Sequence, residues 1–141
     1  MMTKKYKILG KYIKDTSGET PNIETYVFVK DQISKYQLNI DINSKPLKNK
    51  MIEVETLLKF SDKEQNKKKS YFEINFATIV KIDDAIKEKN ELEKIILCDV
   101  QIEIYPDLEK SLLDLLHNSG YPDIKFEKRI DFEALYNQKL N

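Results

Sequence analysis

The chain has 141 residues, 40% of them hydrophobic and 34% charged, with 24 Lys and Arg set against 24 Asp and Glu. That length suits one domain over residues 1–141 with a core of its own, and the balanced charge excludes the basic excess of a nucleic-acid binder and any overall field for steering partners. A single cysteine, Cys98, rules out an intramolecular disulfide; no apolar run approaches the roughly 18 residues of a membrane span, and the start MMTKKYKILGKYIK lacks the apolar segment of a secretory signal, so a cytoplasmic protein without membrane insertion is expected.

The first half reads as strands. Residues 5–14 carry Tyr6, Ile8, Tyr12 and Ile13 among lysines, and residues 24–30 carry the β-prone Tyr26, Val27 and Phe28. Leu38, Ile40 and Ile42 alternate with Asn39 and Asp41, and Ile52 and Val54 with Glu53 and Glu55, before Leu57, Leu58 and Phe60. Phe72, Ile74 and Phe76 alternate with Tyr71, Glu73 and Asn75 in a strand that runs on to Ile82. This period of two is the mark of half-buried strands. Residues 61–70, SDKEQNKKKS, hold no apolar side chain and read as a solvated hairpin loop; Lys67, Lys68 and Lys69 belong to that exposed turn rather than to a phosphate site.

Helices follow. Asp83 and Asp84 are placed to cap a helix over 85–97. The next run alternates strictly at Ile96, Cys98, Val100, Ile102 and Ile104, which leaves residues 95–105 open between strand and helix. Pro106 fits a first helical position, with Asp107 and Glu109 in the first turn. Leu108, Leu112, Leu115 and Leu116, widened by Leu113, form an amphipathic stripe that Asn118, Ser119 and Gly120 end, with Pro122 beyond. Asp131 can cap a last helix over 132–140. Strands first and helices last predict an α+β fold with an antiparallel sheet.

Most site chemistry is absent. Gly10, Gly18 and Gly120 stand too far apart for a phosphate-cradling loop, and His117 has no Cys or second His nearby for a zinc set, so no cofactor, metal or catalytic residue is expected. Asp15, Glu19 and Glu73 read as surface charge; an enzyme using Asp15, Glu19 and His117 requires that the three converge in one pocket. Cys98, in an apolar run, reads as a buried small hydrophobe. The eight Tyr and six Phe are more suggestive. Tyr36, Tyr71 and Tyr136 fall where the pattern points outward or into a loop, and exposed aromatics mark binding surfaces. The wide leucine stripe serves either an intramolecular core or self-association.

Two segments resemble a known family. Lys11-Tyr12-Ile13-Lys14-Asp15-Thr16-Ser17-Gly18-Glu19-Thr20-Pro21-Asn22 resembles the first strand of the protein-export chaperone SecB. Gly120-Tyr121-Pro122-Asp123-Ile124, then Asp131-Phe132-Glu133-Ala134-Leu135-Tyr136, resembles that family's closing signature in order and spacing. The resemblance implies a four-stranded antiparallel sheet followed by C-terminal helices, subunits paired at sheet edges, and two dimers packed through helices as a homotetramer. It implies a holdase that keeps unfolded precursor polypeptides extended without ATP and passes them to the translocase motor SecA. By position, Asp15, Glu19, Tyr71 and Glu73 match motor-docking residues. Ile33 and Tyr36, from the loop after the second strand, and Phe132, Leu135 and Tyr136, from the last helix, match the client groove. The chain departs from the family in its neutral charge, in Gln32 near the place of the crossover-loop tryptophan, in Cys98-Asp99 and Ile104-Tyr105-Pro106-Asp107-Leu108-Glu109 before the long helix, and in stopping at Asn141 without an acidic tail. These departures raise the alternative of a SecB-like chaperone dedicated to one client such as an antitoxin, without SecA docking.

Overall fold

The computed structural model describes residues 5–63, 68–126 and 130–140, the side chains of 139 and 140 excepted, so Lys67 of the hairpin lies outside the described residues. In chain order the elements are β1 (Tyr6–Glu19), α1 (Ile23–Gln32) with a following 3-10 turn (Ile33–Lys35), β2 (Gln37–Pro46), β3 (Met51–Ser61), β4 (Tyr71–Ile82), α2 (Lys89–Lys94), a π-turn (Ile95–Asp99), α3 (Val100–Asn118) and α4 (Phe132–Leu140). The four strands form one antiparallel sheet in the order β1-β4-β3-β2, with the long C-terminal helix against one face, the expected α+β architecture.

Residues 24–30 are helical, not extended. Asn22 caps α1 by accepting a hydrogen bond from the Thr25 amide at 2.8 Å. The two side chains that α1 buries, Thr25 and Val29, are one turn apart. A cap and an inward i, i+4 pair outweigh the β-preference of Tyr26, Val27 and Phe28. Because α1 lies between β1 and β2, the strands do not all precede the helices, and Ile33 and Tyr36 follow the first strand rather than the second.

The hairpin turns differ in kind. β2 ends at Pro46, and the tight β2–β3 turn puts Asn49 and Lys50 at φ 62° and 61°, the left-handed region that such turns demand. β3 and β4 keep the predicted alternation: Val54, Thr56, Leu58 and Phe60, like Phe72, Ile74, Phe76, Val80 and Ile82, are buried. β1 is less regular. Its pairing with β4 shifts between Ile8 and Gly10 and again between Ile13 and Asp15. Each shift is a bulge that adds one residue and resets which side chains face out.

The long helix corrects two expectations and resolves the segment left open at 95–105. Asp83 does not cap a helix: its Oδ1 accepts from the Ala85 amide in a turn, and helix begins only at Lys89. From there the chain is helical to Asn118, so 95–105 is helix rather than strand, and Pro106 lies inside α3 rather than at its start. The apparent alternation comes from the π-turn. It buries Ile95, Ile96 and Cys98 and then, one residue out of the usual phase, Val100 and Gln101. Val100 bonds the Ile95 carbonyl, and the fully buried Gln101 repairs the next one, its Nε2 donating to the Ile96 carbonyl at 3.2 Å while its Oε1 accepts from Thr56 Oγ1 at 2.9 Å. Leu108, Leu112 and Leu116 are fully buried against the sheet, whereas Leu113 and Leu115 are half-buried. At the end of α3 Gly120, at φ 105°, lets its own amide reach the His117 carbonyl and Tyr121 reach that of Leu116, the left-handed helix stop expected of glycine.

Candidate functional site

The outer sheet face is built by register. Glu19 stands opposite Tyr71, Ser17 opposite Glu73 and Asp15 opposite Asn75. Glu73 in turn faces Lys59, and Asn75 faces Leu57. Asp15, Glu19, Tyr71 and Glu73 therefore lie together on the face away from the helices. The bulge after Ile13 places them there: Ile13 is in phase with inward Phe76, and the extra residue Lys14 restores Asp15 to the outward phase of Asn75. Tyr71 is 40% exposed. Among the described residues none of the three acids makes an ion pair.

Charge on this face is partly segregated, with Lys59 set opposite Glu73. Lys14 reaches across β4 to Glu53, at 2.8 Å, and to Glu55. The ammonium holds the Glu53 carboxyl below the usual carboxylate range, and the two carboxylates push the Lys14 pKa up. The acids at that end of the face are thus already partnered, and those beside Tyr71 are not.

The five groove candidates separate into two groups. Ile33 and Tyr36 belong to the main core; Tyr36 is 7% exposed, its ring packs on Phe60 with centroids 5.5 Å apart, and its hydroxyl accepts from the Ser70 amide at 3.0 Å. Tyr36 therefore points inward, against the outward reading of its position. Phe132 belongs to a second cluster with Cys98 and Tyr105, its ring edge-on to that of Tyr105 at 5.5 Å. Tyr136 is half-buried beside this cluster and its hydroxyl donates to the Asn90 carbonyl. Of the five, Leu135 alone is exposed, at 40%. Cys98 is buried as expected, and burial with the charge of Asp99 raises its thiol pKa. His117 closes α3, its Nε2 3.1 Å from the Ile124 carbonyl, in the layer on the opposite side of the sheet from Asp15 and Glu19, so these three groups do not converge. No group of three His, Cys, Asp or Glu side chains among the described residues could hold a metal ion.

Three apolar surfaces escaped the pattern reading. Ile23, Val27 and Phe28 line the outward side of α1 and are 76%, 58% and 37% exposed. The i, i+4 spacing of Ile23 and Val27 carried that signal once the segment is read as helix. Leu9, Tyr12 and Ile13 are about half exposed along β1, an edge strand. A cavity of about 200 Å³ opens between α3 and the segment leading into α4, lined by Ile102, Tyr105, Pro106, Glu109, Ile130 and Phe132.

The described surface thus combines an acidic end on one sheet face with exposed apolar rows on α1 and β1. Comparison with known proteins gives the family. The family model described as preprotein translocase subunit SecB matches residues 2–141. A Pelagibacter ubique (strain HTCC1062) protein, named provisionally as protein-export protein SecB, is 60% identical over 140 residues, covering 99% of this chain and 100% of that one. Protein-export protein SecB of Parvibaculum lavamentivorans is 25% identical over 135 residues, 94% of this chain and 77% of the relative. Among solved structures, the SecB-like chaperone of Mycobacterium tuberculosis, in complex with a ChAD peptide from the HigA1 antitoxin, superposes with a TM-score of 0.56 at 12% identity, over 89% of this chain and 91% of that one. The chain belongs to the SecB family, a family of protein-export chaperones rather than enzymes. No helix among the described residues is long and apolar enough to cross a membrane.

Proposed function

We propose that this protein is an ATP-independent holdase that binds unfolded precursor polypeptides in the cytoplasm and delivers them to the SecA motor of the export machinery. The observation that carries this reading is the division of surfaces: Asp15, Glu19, Tyr71 and Glu73 gather on the outer sheet face, while the exposed apolar residues of α1 and α4 lie on other elements. One subunit can thus hold a client and a motor together. The exposed edge of β1, with Leu9, Tyr12 and Ile13, and exposed Ile102 on α3 are the surfaces for a homotetramer, edge to edge and helix to helix. Ile33, Tyr36, Phe132 and Tyr136 shape the client groove from beneath, and Leu135 touches the client.

The test separates the two surfaces. Asp15→Lys with Glu73→Lys should abolish SecA binding and leave suppression of client aggregation intact; equal loss of both contradicts the docking assignment. A protein that neither delays aggregation of a refolding client nor exceeds a monomer by light scattering contradicts the holdase reading itself. A narrower duty, guarding a single client such as an antitoxin, is the second reading, favoured by the partnering of Glu53 and Glu55 with Lys14, which shrinks the acidic field. A pull-down recovering many precursors together with SecA counts against it.

A further inference from the structure

The end of the outer face that carries Glu19 and Tyr71 is backed, on the inner side of the sheet, by a triangle of hydroxyls. Thr20 follows Glu19 and Ser70 precedes Tyr71, so both stand at the last pair of the β1–β4 ladder. The Thr20 and Ser70 hydroxyls are 2.6 Å apart, and the Tyr121 hydroxyl lies 3.2 Å from Ser70 Oγ and 3.3 Å from Thr20 Oγ1. Three hydroxyls bring three hydrogens to three contacts, so each can donate once and accept once. Ser70 and Tyr121 are buried, and the Ser70 amide donates to the Tyr36 hydroxyl. Thr20 is half-buried and can exchange a partner in the triangle for water.

The same tyrosine holds α1. The Tyr121 ring packs on Phe72 of β4 and on Tyr26 of α1, with centroids 5.8 and 5.5 Å away, and the Tyr26 hydroxyl donates to the Gly120 carbonyl at 2.9 Å. α1 buries only Thr25 and Val29 of its 10 residues, so these aromatic and polar contacts are a large part of what seats it. Its outward residues Ile23, Val27 and Phe28 are the apolar surface proposed for a client. A path of direct contacts therefore runs from Glu19 and Tyr71, through the triangle and the Tyr121–Tyr26 pair, to α1. The contacts at 3.2 and 3.3 Å are already long, and such bonds are lost beyond roughly 3.5 Å, so a small displacement at either strand end opens the triangle.

We infer that Thr20, Ser70 and Tyr121 form a latch that couples the two surfaces. Closed, it seats α1 for a client. A partner that engages Glu19 and Tyr71 shifts the strand ends, opens the triangle and loosens α1. The sign follows from the geometry: the triangle is complete, so moving one strand end away lengthens its contacts. The inference rests on the reading of Glu19 and Tyr71 as a docking surface and of α1 as a client surface. It adds that docking and client binding oppose one another, each weakening the other by the same factor.

The probe is a fluorescently labelled, permanently unfolded polypeptide, titrated with the protein with and without saturating SecA. In wild type, SecA should weaken client binding about fivefold or more. Ser70→Ala and Tyr121→Phe each remove one hydroxyl of the triangle. Both should bind the client as weakly as SecA-bound wild type does and show no further weakening by SecA. Both should also bind SecA more tightly than wild type does, because the latch is already open. A merely structural role for these hydroxyls would not tighten SecA binding. Thr20→Val, at a half-buried position, gives the same test if either buried variant fails to fold. Hydrogen exchange reads the opening separately: α1 amides should exchange faster in SecA-bound wild type and in the variants, with Leu58 of β3 unchanged. Client binding that SecA leaves unchanged in wild type overturns the inference, as does a SecA effect that survives in the variants; both leave the two surface readings standing. If SecA does not bind wild type, the docking reading fails and the inference with it. If wild type binds no unfolded polypeptide, the holdase reading fails as well.

Discussion

Phe132→Ala should release α4 without unfolding the sheet. α4 has nine residues, too few for a helix to stand alone in water. Two attachments are visible: Phe132, 3% exposed in the cluster of Cys98 and Tyr105, and the Tyr136 hydroxyl on the Asn90 carbonyl. An aromatic side chain buries about 150 Å² or more, worth roughly 3–4 kcal/mol at about 25 cal/mol per Å², an upper figure because the unfolded chain buries some of that area already. Losing about 3 kcal/mol of a local closing energy raises the open population by roughly a hundredfold. Native-state hydrogen exchange measures this directly. Amides from Leu135 to Gln138 should exchange about a hundredfold faster in the variant, while those of Leu58 in β3 and Phe72 in β4 keep their wild-type rates. Equal acceleration in α4 and the sheet would mean that the Phe132 cluster belongs to the global core; no acceleration would mean that Phe132 is not the anchor. Either result refutes the reasoning.

Other consequences are as direct. Thr56→Val leaves the fully buried Gln101 carbonyl oxygen without its donor, so stability should fall by about 1–3 kcal/mol in urea melts at unchanged m-value. Gly120→Ala places a Cβ 2.7 Å from the Tyr26 ring at a φ of 105°, and strain plus clash should cost roughly 2–4 kcal/mol, read as a lowered thermal midpoint. The Tyr105 hydroxyl is neutral in the folded state to about pH 12 and ionises near pH 10 when unfolded, so its contribution is complete below pH 10 and drains away as pH rises to 12. Tyr105→Phe should therefore flatten the alkaline loss of stability between pH 10 and pH 12, read from urea melts across that range.

The sequence carried the central sheet well because β3 and β4 each bury one face, so their apolar side chains recur with a period of two. Leu58 and Phe72 were readable as core for the same reason. α1 was misread because Tyr26, Val27 and Phe28 are strand-forming types, whereas the helix is dictated by Asn22 and by the inward pair Thr25 and Val29. The π-turn concealed the start of the long helix: an extra residue in the turn made Ile96, Cys98 and Val100 look like alternate strand positions. Pro106 reads as a helix start by propensity, but the helix tolerates it internally, with exposed Pro106 beside a cavity rather than in the packed interface. The docking candidates followed from the resemblance; their shared face follows from the register of β1 on β4, and bulges leave no pattern in one strand's sequence.

That register also bears on how a neutral chain can present an acidic surface. Equal numbers of acids and bases argue against a docking face only if the charges are mixed on every surface. Here one inserted residue sorts them. Lys14 occupies the bulge, so its ammonium engages Glu53 and Glu55 at one end of the outer face. The same insertion restores the outward phase of Asp15, Ser17 and Glu19, which puts the two acids beside Glu73 and Tyr71 at the other end. Surface attraction falls away over roughly 10 Å at ordinary salt, so a partner touching that end responds to the local acids and not to the chain's total. Net charge is thus a poor guide to partner choice where the local register, not the total, sets which charges meet a partner. The quantity that matters is the field around Asp15, Glu19 and Glu73, which Lys59, opposite Glu73, tempers and Lys14, engaged with Glu53 and Glu55, does not neutralise by an ion pair.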